Sequence, residues 1–421
     1  MDLVHAKCAG LDVHKDTVVA AIRLAGAKDK GVEREVRTFG TMTKSLLELA
    51  DWLTEHEVTH VAMEATGVYW KPVWHVLESM FELVLANAAH IKNVPGRKTD
   101  VNDATWIAEL LAHGLIRGSF VPEGRIQDLR ALTRTRKQLV REKAQHVQRI
   151  QKTLEDANIK FSSVVADIMG TGGRAVLQGI VDGETDPEQL VHRIKTRLRA
   201  DRATLVESLR GTVTRTHRFL LKLHLDQIDG FDTAIAKLEA EVDSLLEPFR
   251  EAVQRLITIP GVSDLVAQVI VSEVGVDMAR FPTVGHLISW AGMCSRNDES
   301  AGKRRSSRLR KGAPWLKTTL VQAAWCATRA KDTYLRSQFL RLRGRRGSRK
   351  AIMAVAASML TSAYFMLKRD EDYQDLGAQH FDEIDRTRTI GRLVRRLQTL
   401  GCHVDIKQAK AEDAEAETTA A

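Results

Sequence analysis

The stretch AGLDVHKDTVVAAIRL, Ala9 to Leu24, decides the fold of the first part of the chain. Two short apolar runs, AGLDV and TVVAAIRL, flank the polar His14-Lys15-Asp16, the pattern of two strands joined by a turn. EVRTFG (35–40) supplies a third strand after a charged turn, so the chain opens as a β-meander. MTKSLLELADWLTEHE (42–57) then spaces Leu46, Leu47, Leu49, Ala50 and Leu53 as a helix does, and THVAMEA (59–65) reads as a buried strand. A helix in WKPVWHVLESM, a strand in FELVLANA and a helix in DVNDATWIAELLAHG, ending at Gly114, continue the alternation. Strands first and strand–helix alternation afterwards predict a mixed α/β sheet.

Four carboxylates stand out against this frame. Asp12 lies within the first strand, while Val13 beside it points to the opposite face. A carboxylate there is costly unless it is paired or metal-bound. Glu64 ends the strand VAME where it meets a loop, a usual place for sites in α/β folds. Asp100 and Asp103, in KTDVNDA, are three apart at a helix start and share a face, where they serve as ligands or merely as N-terminal caps. Hard divalent cations such as Mg²⁺ take oxygen ligands and share them with phosphate oxygens, so the set points to metal-assisted chemistry on nucleic acid.

Composition agrees with a polyanionic partner. The 421 residues include 63 Lys and Arg against 54 acids, for a formal charge of +9. That length suggests two or three domains. Charge alone does not tell nucleic acid from a membrane surface. Cys8, Cys294, Cys326 and Cys402 are scattered without CxxC spacing, so neither a zinc site nor a disulfide framework is indicated. Without the apolar core of a signal peptide or about 18 uninterrupted apolar residues, a soluble cytoplasmic protein is expected, away from membranes.

From Gly124 to about Ile159 a long charged helix carries a stripe that includes Leu129, Leu132, Leu139, Val147 and Leu154. A second repeat steps by seven through Leu221, Ile228, Ile235 and Val242, with Phe231, Leu238 and Leu245 at the offset position. The two suggest an antiparallel helical arm or a dimerising coiled coil; two helices of an ordinary bundle account for the pattern equally well. The segment between, SSVVADIMGTGGRAVLQGIVDGETDPEQLVHRI, reads as loop-rich with a small helical insertion. ITIPGVSDLVAQVIVSEVG (257–275) has the form of a helix-hairpin-helix, which can offer backbone N–H groups to a phosphate or be a packed turn.

Between Ser300 and Lys350 sixteen Lys or Arg face one acid, Asp332. A solvated helix face normally mixes signs, so this stretch reads as a phosphate-contacting surface built on Lys303, Arg304, Arg305, Arg308, Arg310, Lys311, Arg343, Arg345 and Arg346. Aromatic residues make up only 5% of the chain, against base stacking as the main mode of binding. A further basic helix, RTRTIGRLVRRLQTLG, precedes the final AKAEDAEAETTAA, which is expected to be disordered.

In order and context the motifs resemble the DEDD transposases of bacterial insertion sequences, the IS one-ten family. GLDVHKD is similar to the family's first Asp motif, EATGVY to its Glu motif and KTDVNDA to its Asp pair; IPGVSDLVAQVIVSEVG and the run from Phe281 to Trp325 resemble its C-terminal domain. The resemblance implies a RuvC-like domain of the ribonuclease H fold over 1–123, a helical arm with an insertion over 124–250, a mainly α transposase domain over 251–369, and a basic helix and tail over 370–421. It also implies that Asp12, Glu64, Asp100 and Asp103 bind Mg²⁺ or Mn²⁺, and that Ser300 attacks DNA to give a transient protein–DNA bond. The implied partners are the element's ends and target DNA, a structured noncoding guide RNA, and further copies in a homodimer or homotetramer. Ser263 departs from the pattern, standing where a glycine is common, and the insertion is longer than in compact relatives. Two rivals share these features: a metal-dependent junction nuclease that uses water, and a non-catalytic RNA- or DNA-binding protein.

Overall fold

The computed structural model describes residues 3–25, 31–65, 67–87, 91, 102–295, 298–300, 302–306, 308–310, 312–384 and 386–406, with backbone alone for 298–300, 304 and 305. The chain divides into two compact units, Met1–Val121 and Pro122–Ala421.

The first unit contains β1 (Lys7–Val13), β2 (Thr17–Ala25), β3 (Val32–Gly40), α1 (Thr43–Glu55), β4 (His60–Glu64), α2 (Trp70–Leu77), β5 (Glu82–Ala86) and α3 (Asp103–Ala112). Its sheet has the order β3-β2-β1-β4-β5. The meander pairs antiparallel, and β4 and β5 join β1 in parallel, giving the mixed α/β sheet expected.

Alternation along the strands sorts side chains onto two faces. Ala9, Leu11 and Val13 of β1, with Val61 and Met63 of β4, pack against Leu46, Leu49 and Leu53 of α1 and Leu77 of α2. Cys8 of β1, Ala62 of β4 and Ala86 of β5 face the other way, into Ile107, Leu110 and Leu111 of α3. The α3 face of β1 is made of small residues, and the reason is steric. A Cβ on Gly10 would stand 2.2 Å from the Ala104 carbonyl oxygen and 2.4 Å from the Ala108 nitrogen, so only glycine lets α3 lie this close. Cys8 donates its thiol to the Ala108 carbonyl at 3.5 Å, and burial pushes that thiol up to about 11.

Charge fixes the other end of α3. Arg23, buried on β2, meets Glu109 through Nε at 2.9 Å, and Arg34 of β3 reaches the same carboxylate at 3.0 Å. Burial alone would raise the Glu109 carboxyl; the hydrogen bonds from Arg23 and Arg34 outweigh it and hold the group below its ordinary range.

The second unit begins with α4 (Gly124–Asp156), followed by α5 (Phe161–Val164), α6 (Thr171–Asp182), α7 (Pro187–His192), α8 (Arg202–Ser208) and α9 (Arg215–Leu246). α4 and α9 run antiparallel. Arg136 meets Glu239 at 2.8 Å, Lys143 pairs with Asp232, and Asp156 meets His217 at 3.0 Å. The insertion is more ordered than its loop-rich reading. Phe161, Val176, Leu177, Ile180 and Leu190 from its helices form a core with Ile150 and Leu154 of α4 and Leu221 and Ile228 of α9. Three of these helices have seven residues or fewer, and α6 places Gly172, Gly173 and Gly179 among its buried positions, so periodicity does not reveal the core.

Next come α10 (Arg250–Ile257), α11 (Asp264–Val274), α12 (Val284–Trp290), β6 (Asp298–Ser300), β7 (Lys303–Ser306), α13 (Pro314–Ala327), α14 (Tyr334–Arg346), α15 (Ser348–Arg369), α16 (His380–Ile384) and α17 (Arg386–Thr399). α11 joins α4 through Glu273, which is 1% exposed and receives Arg134 in a two-pronged bond at 2.7 and 2.8 Å. Arg130 lies alongside, and burial lowers it to about 10, still charged near neutrality. α15 is long and apolar enough to cross a membrane by length and composition. Ile352, Val355, Met359 and Leu360 are nevertheless buried, and it serves as a core helix of this unit.

A pH dependence follows from Glu109. Its carboxyl is held low in the fold, so its stabilisation is complete above the ordinary value near 4.5 and is lost as pH falls through the lowered one. Thermal melts of Glu109→Gln are expected to fall below those of the unaltered chain at pH 7, with the gap closing in acid; a gap constant with pH contradicts this pairing.

Candidate active site

The β1–β4 register runs Cys8↔His60, Ala9↔Val61, Gly10↔Ala62 and Leu11↔Met63. Asp12 and Glu64 are the next residue on each strand. Alternation puts Asp12 on the face of Cys8 and Gly10, and Glu64 on the face of Ala62, so both carboxylates stand on the α3 side of neighbouring strands about 4.8 Å apart. Asp103 is the first residue of α3, and Ala104 next to it is the residue whose carbonyl lies over Gly10. The fold therefore gathers Asp12, Glu64 and Asp103 at one end of one face of the sheet. Asp100 lies outside the described residues.

Asp103 is not the cap of its helix. Asn102 is, with its Oδ1 accepting from the Thr105 nitrogen at 2.7 Å, so the capping alternative weighed for Asp103 falls to its neighbour. Asp12 is only 19% exposed, and His14 Nε2 stands 3.2 Å from its Oδ2. His14 was not singled out from the sequence; its place two residues past Asp12, beyond a strand end, was the available signal. The donors at this end are carboxylate oxygens, which suit a hard divalent cation. Among the described residues no group of three or more His, Cys, Asp or Glu side chains stands close enough to hold a metal.

Ser300 belongs to the second unit. β6 and β7 form an antiparallel hairpin in which Ser300 pairs with Lys303 across a turn whose Gly302 has φ +71°. The serine thus sits at a hairpin tip beside the start of the basic run. The hairpin's base is held by a close crossing, where a Cβ on Gly312 would stand 2.4 Å from the Gly292 nitrogen.

Lys303, Arg308, Arg310, Arg343, Arg345 and Arg346 are exposed. The side chains of Arg304 and Arg305, and the whole of Lys311, lie outside the described residues. Arg343, Arg345 and Arg346 occupy the last turn of α14, where cations also complement the helix dipole. The turn of the helix-hairpin-helix is packed. Gly261 has φ +84°, and a Cβ there would lie 2.5 Å from the Ala323 oxygen and the Ala327 nitrogen of α13. Ser263 caps α11 at its own start, its Oγ accepting from the Val266 nitrogen at 3.5 Å.

Gly10→Ala tests the geometry. Pushing α3 off the sheet is expected to cost about 1–3 kcal/mol and to part Asp103 from Asp12 and Glu64. Denaturant melts read the first effect, and metal-dependent DNA cleavage reads the second; unchanged cleavage contradicts the grouping.

Comparison with known proteins bears on this arrangement. Residues 9–159 match a family model described as a transposase of the DEDD_Tnp_IS110 type, and residues 253–340 match one described as the transposase IS116/IS110/IS902 family. The chain is also similar to the transposase for insertion sequence element IS1111A of Coxiella burnetii, 24% identical over 378 residues that make up 87% of this chain and 91% of the relative. With two regions matched in order, together more than half of its length, the chain belongs to the IS116/IS110/IS902 family of transposases, enzymes that process DNA.

Proposed function

We propose that the protein is a DEDD-type recombinase that excises and inserts its own element through a serine-linked DNA intermediate. The observation that carries the reading is the adjacency of Asp12 and Glu64 at the ends of paired parallel strands, with Asp103 opening the helix packed over Gly10. Asp12, Glu64, Asp100 and Asp103 would hold Mg²⁺ or Mn²⁺, which supplies Lewis-acid stabilisation of charge on the scissile phosphate. The Ser300 hydroxyl attacks phosphorus, a strand oxygen leaves, and the serine keeps the phosphoryl group as an ester. A later strand hydroxyl displaces the serine. Each exchange makes one phosphoester bond as it breaks one, so no nucleoside triphosphate is consumed.

The basic run from Lys303 to Lys311 and the end of α14 hold DNA, and a structured noncoding RNA encoded by the element selects target and donor by base pairing. The catalytic region occupies 1–123, the arm 124–250, the serine-bearing region 251–369 and the basic end 370–421. The protein acts in the cytoplasm as a homodimer or homotetramer joined along the arm as a coiled coil. Half-buried Phe231, Ile235 and Leu238 on α9 support this, since a two-helix span leaves apolar surface for another copy to cover.

A denaturation-resistant protein–DNA adduct is the deciding product. On an element-junction substrate with the matching noncoding RNA and Mg²⁺, the unaltered chain is expected to form it and Ser300→Ala to form none. Asp12→Ala should slow its appearance about a thousandfold, the scale of several kcal/mol of lost charge stabilisation. Cleavage without an adduct, persisting in Ser300→Ala, contradicts the serine step and indicates attack by water.

A further inference from the structure

A cleft between α14 on one side and α16 with α17 on the other has walls of like charge. Its volume is about 1140 Å³, and its lining includes Arg341, Arg345, Arg388, Arg392, Arg395 and Arg396. Asp382 is the one carboxylate among the described residues that line it. Facing guanidinium groups repel unless an anion lies between them, and the cost grows as salt is removed. The matched family region ends at residue 340, so all six arginines lie beyond it.

α17 is turned in an uncommon direction. An amphipathic helix on a protein body ordinarily buries its apolar stripe. Here no residue of α17 is buried, Leu393 and Leu397 are 51% and 42% exposed, and the arginines at helical spacing line the cleft instead. Arg345, Arg392, Arg395 and Arg396 have no carboxylate partner among the described residues. Their charge is available to a ligand.

The chemistry narrows that ligand. A cleft of this volume is larger than a single phosphate needs, and Arg388 to Arg396 spans about 12 Å of helix, facing several phosphates of a duplex that carries a charge every ~1.7 Å. Phe381 is the only aromatic among the described residues of the lining, and Arg341 covers its ring at 5.0 Å, so the described lining opens no platform for stacking unpaired bases. Arginine forks suit phosphate oxygens in pairs.

We propose that this cleft holds the phosphate backbone of duplex DNA without reading its sequence. The inference rests on the reading of the chain as a transposase that handles DNA, and it adds a second grip beyond the serine hairpin. Fluorescence anisotropy of the full chain tests it, with a labelled duplex of arbitrary sequence, a single strand and an RNA hairpin, each across a series of KCl concentrations. Arg392→Gln/Arg395→Gln/Arg396→Gln is expected to bind duplex at least about tenfold more weakly and to flatten the slope of log affinity against log salt by about 2–3. The matching triple Arg→Lys variant should keep the slope. All three positions are exposed, and circular dichroism confirms that each variant is folded. Equal affinity and slope in the unaltered and Gln chains overturn the proposal, as does a loss confined to the RNA hairpin. Failure of the unaltered chain to bind duplex would instead overturn the transposase reading on which it rests.

Discussion

The approach of α3 to Gly10 governs the first unit. With a carbonyl and an amide of the helix both inside the space a Cβ would fill, the helix lies as near to the sheet as a backbone permits. That contact sets the height of the α3 start over β1, and with it the place of Asp103 relative to Asp12 and Glu64. Cys8, one step earlier on the same face, keeps a protonated thiol against the next turn of the helix. The paired arginines on Glu109 hold the far half of α3 against β2 and β3. A steric contact at one end and an ion pair at the other leave the helix little room to slide.

The second unit solves a different problem, how to carry much positive charge on a stable scaffold. Its core is ordinary, with α15 buried along most of its apolar face. Glu273, the one deeply buried carboxylate among its described residues, is answered by two arginines of α4, so the base of the arm is fixed by charge as well as by packing. A buried acid left alone would cost several kcal/mol, whereas a fully bonded one specifies where α4 begins to leave the body. Toward the C-terminus the balance is reversed, and arginines gather with few acids near them. Charge of one sign gathered at the surface of a protein of this kind is read most simply as a site for a polyanion.

Much of this was legible in the sequence where period and length were strong. The meander, α1, β4 and the α3 pattern were evident because alternation and helical spacing persist over enough residues to be seen. The helices α4 and α9 were visible for the same reason, while their antiparallel pairing, one of several arrangements their stripes allow, came from the fold. Asp12 and Glu64 were legible as unusual carboxylates at strand positions, but their adjacency depended on β1 pairing with β4 across two intervening strands and a helix, which no local pattern records. The role of Gly10 was hidden because a close approach is a property of two segments far apart in the chain. The insertion's core is not legible because three of its helices are very short and the fourth, α6, buries glycines that read as loop, and the Ser300 hairpin is not because β6 and β7 are three and four residues long. The arginines of α17 read as a basic helix, while their facing α14 across a cleft came only from the fold.

Diffraction from crystals soaked in Mn²⁺, with data collected for its anomalous signal, addresses the central claim most directly. The account predicts a Mn²⁺ peak among the carboxylates of Asp12, Glu64 and Asp103, weakened or absent in Asp12→Ala crystals. An anomalous map with no peak at the end of β1 and β4, from crystals in which that end is open to solvent, would contradict it.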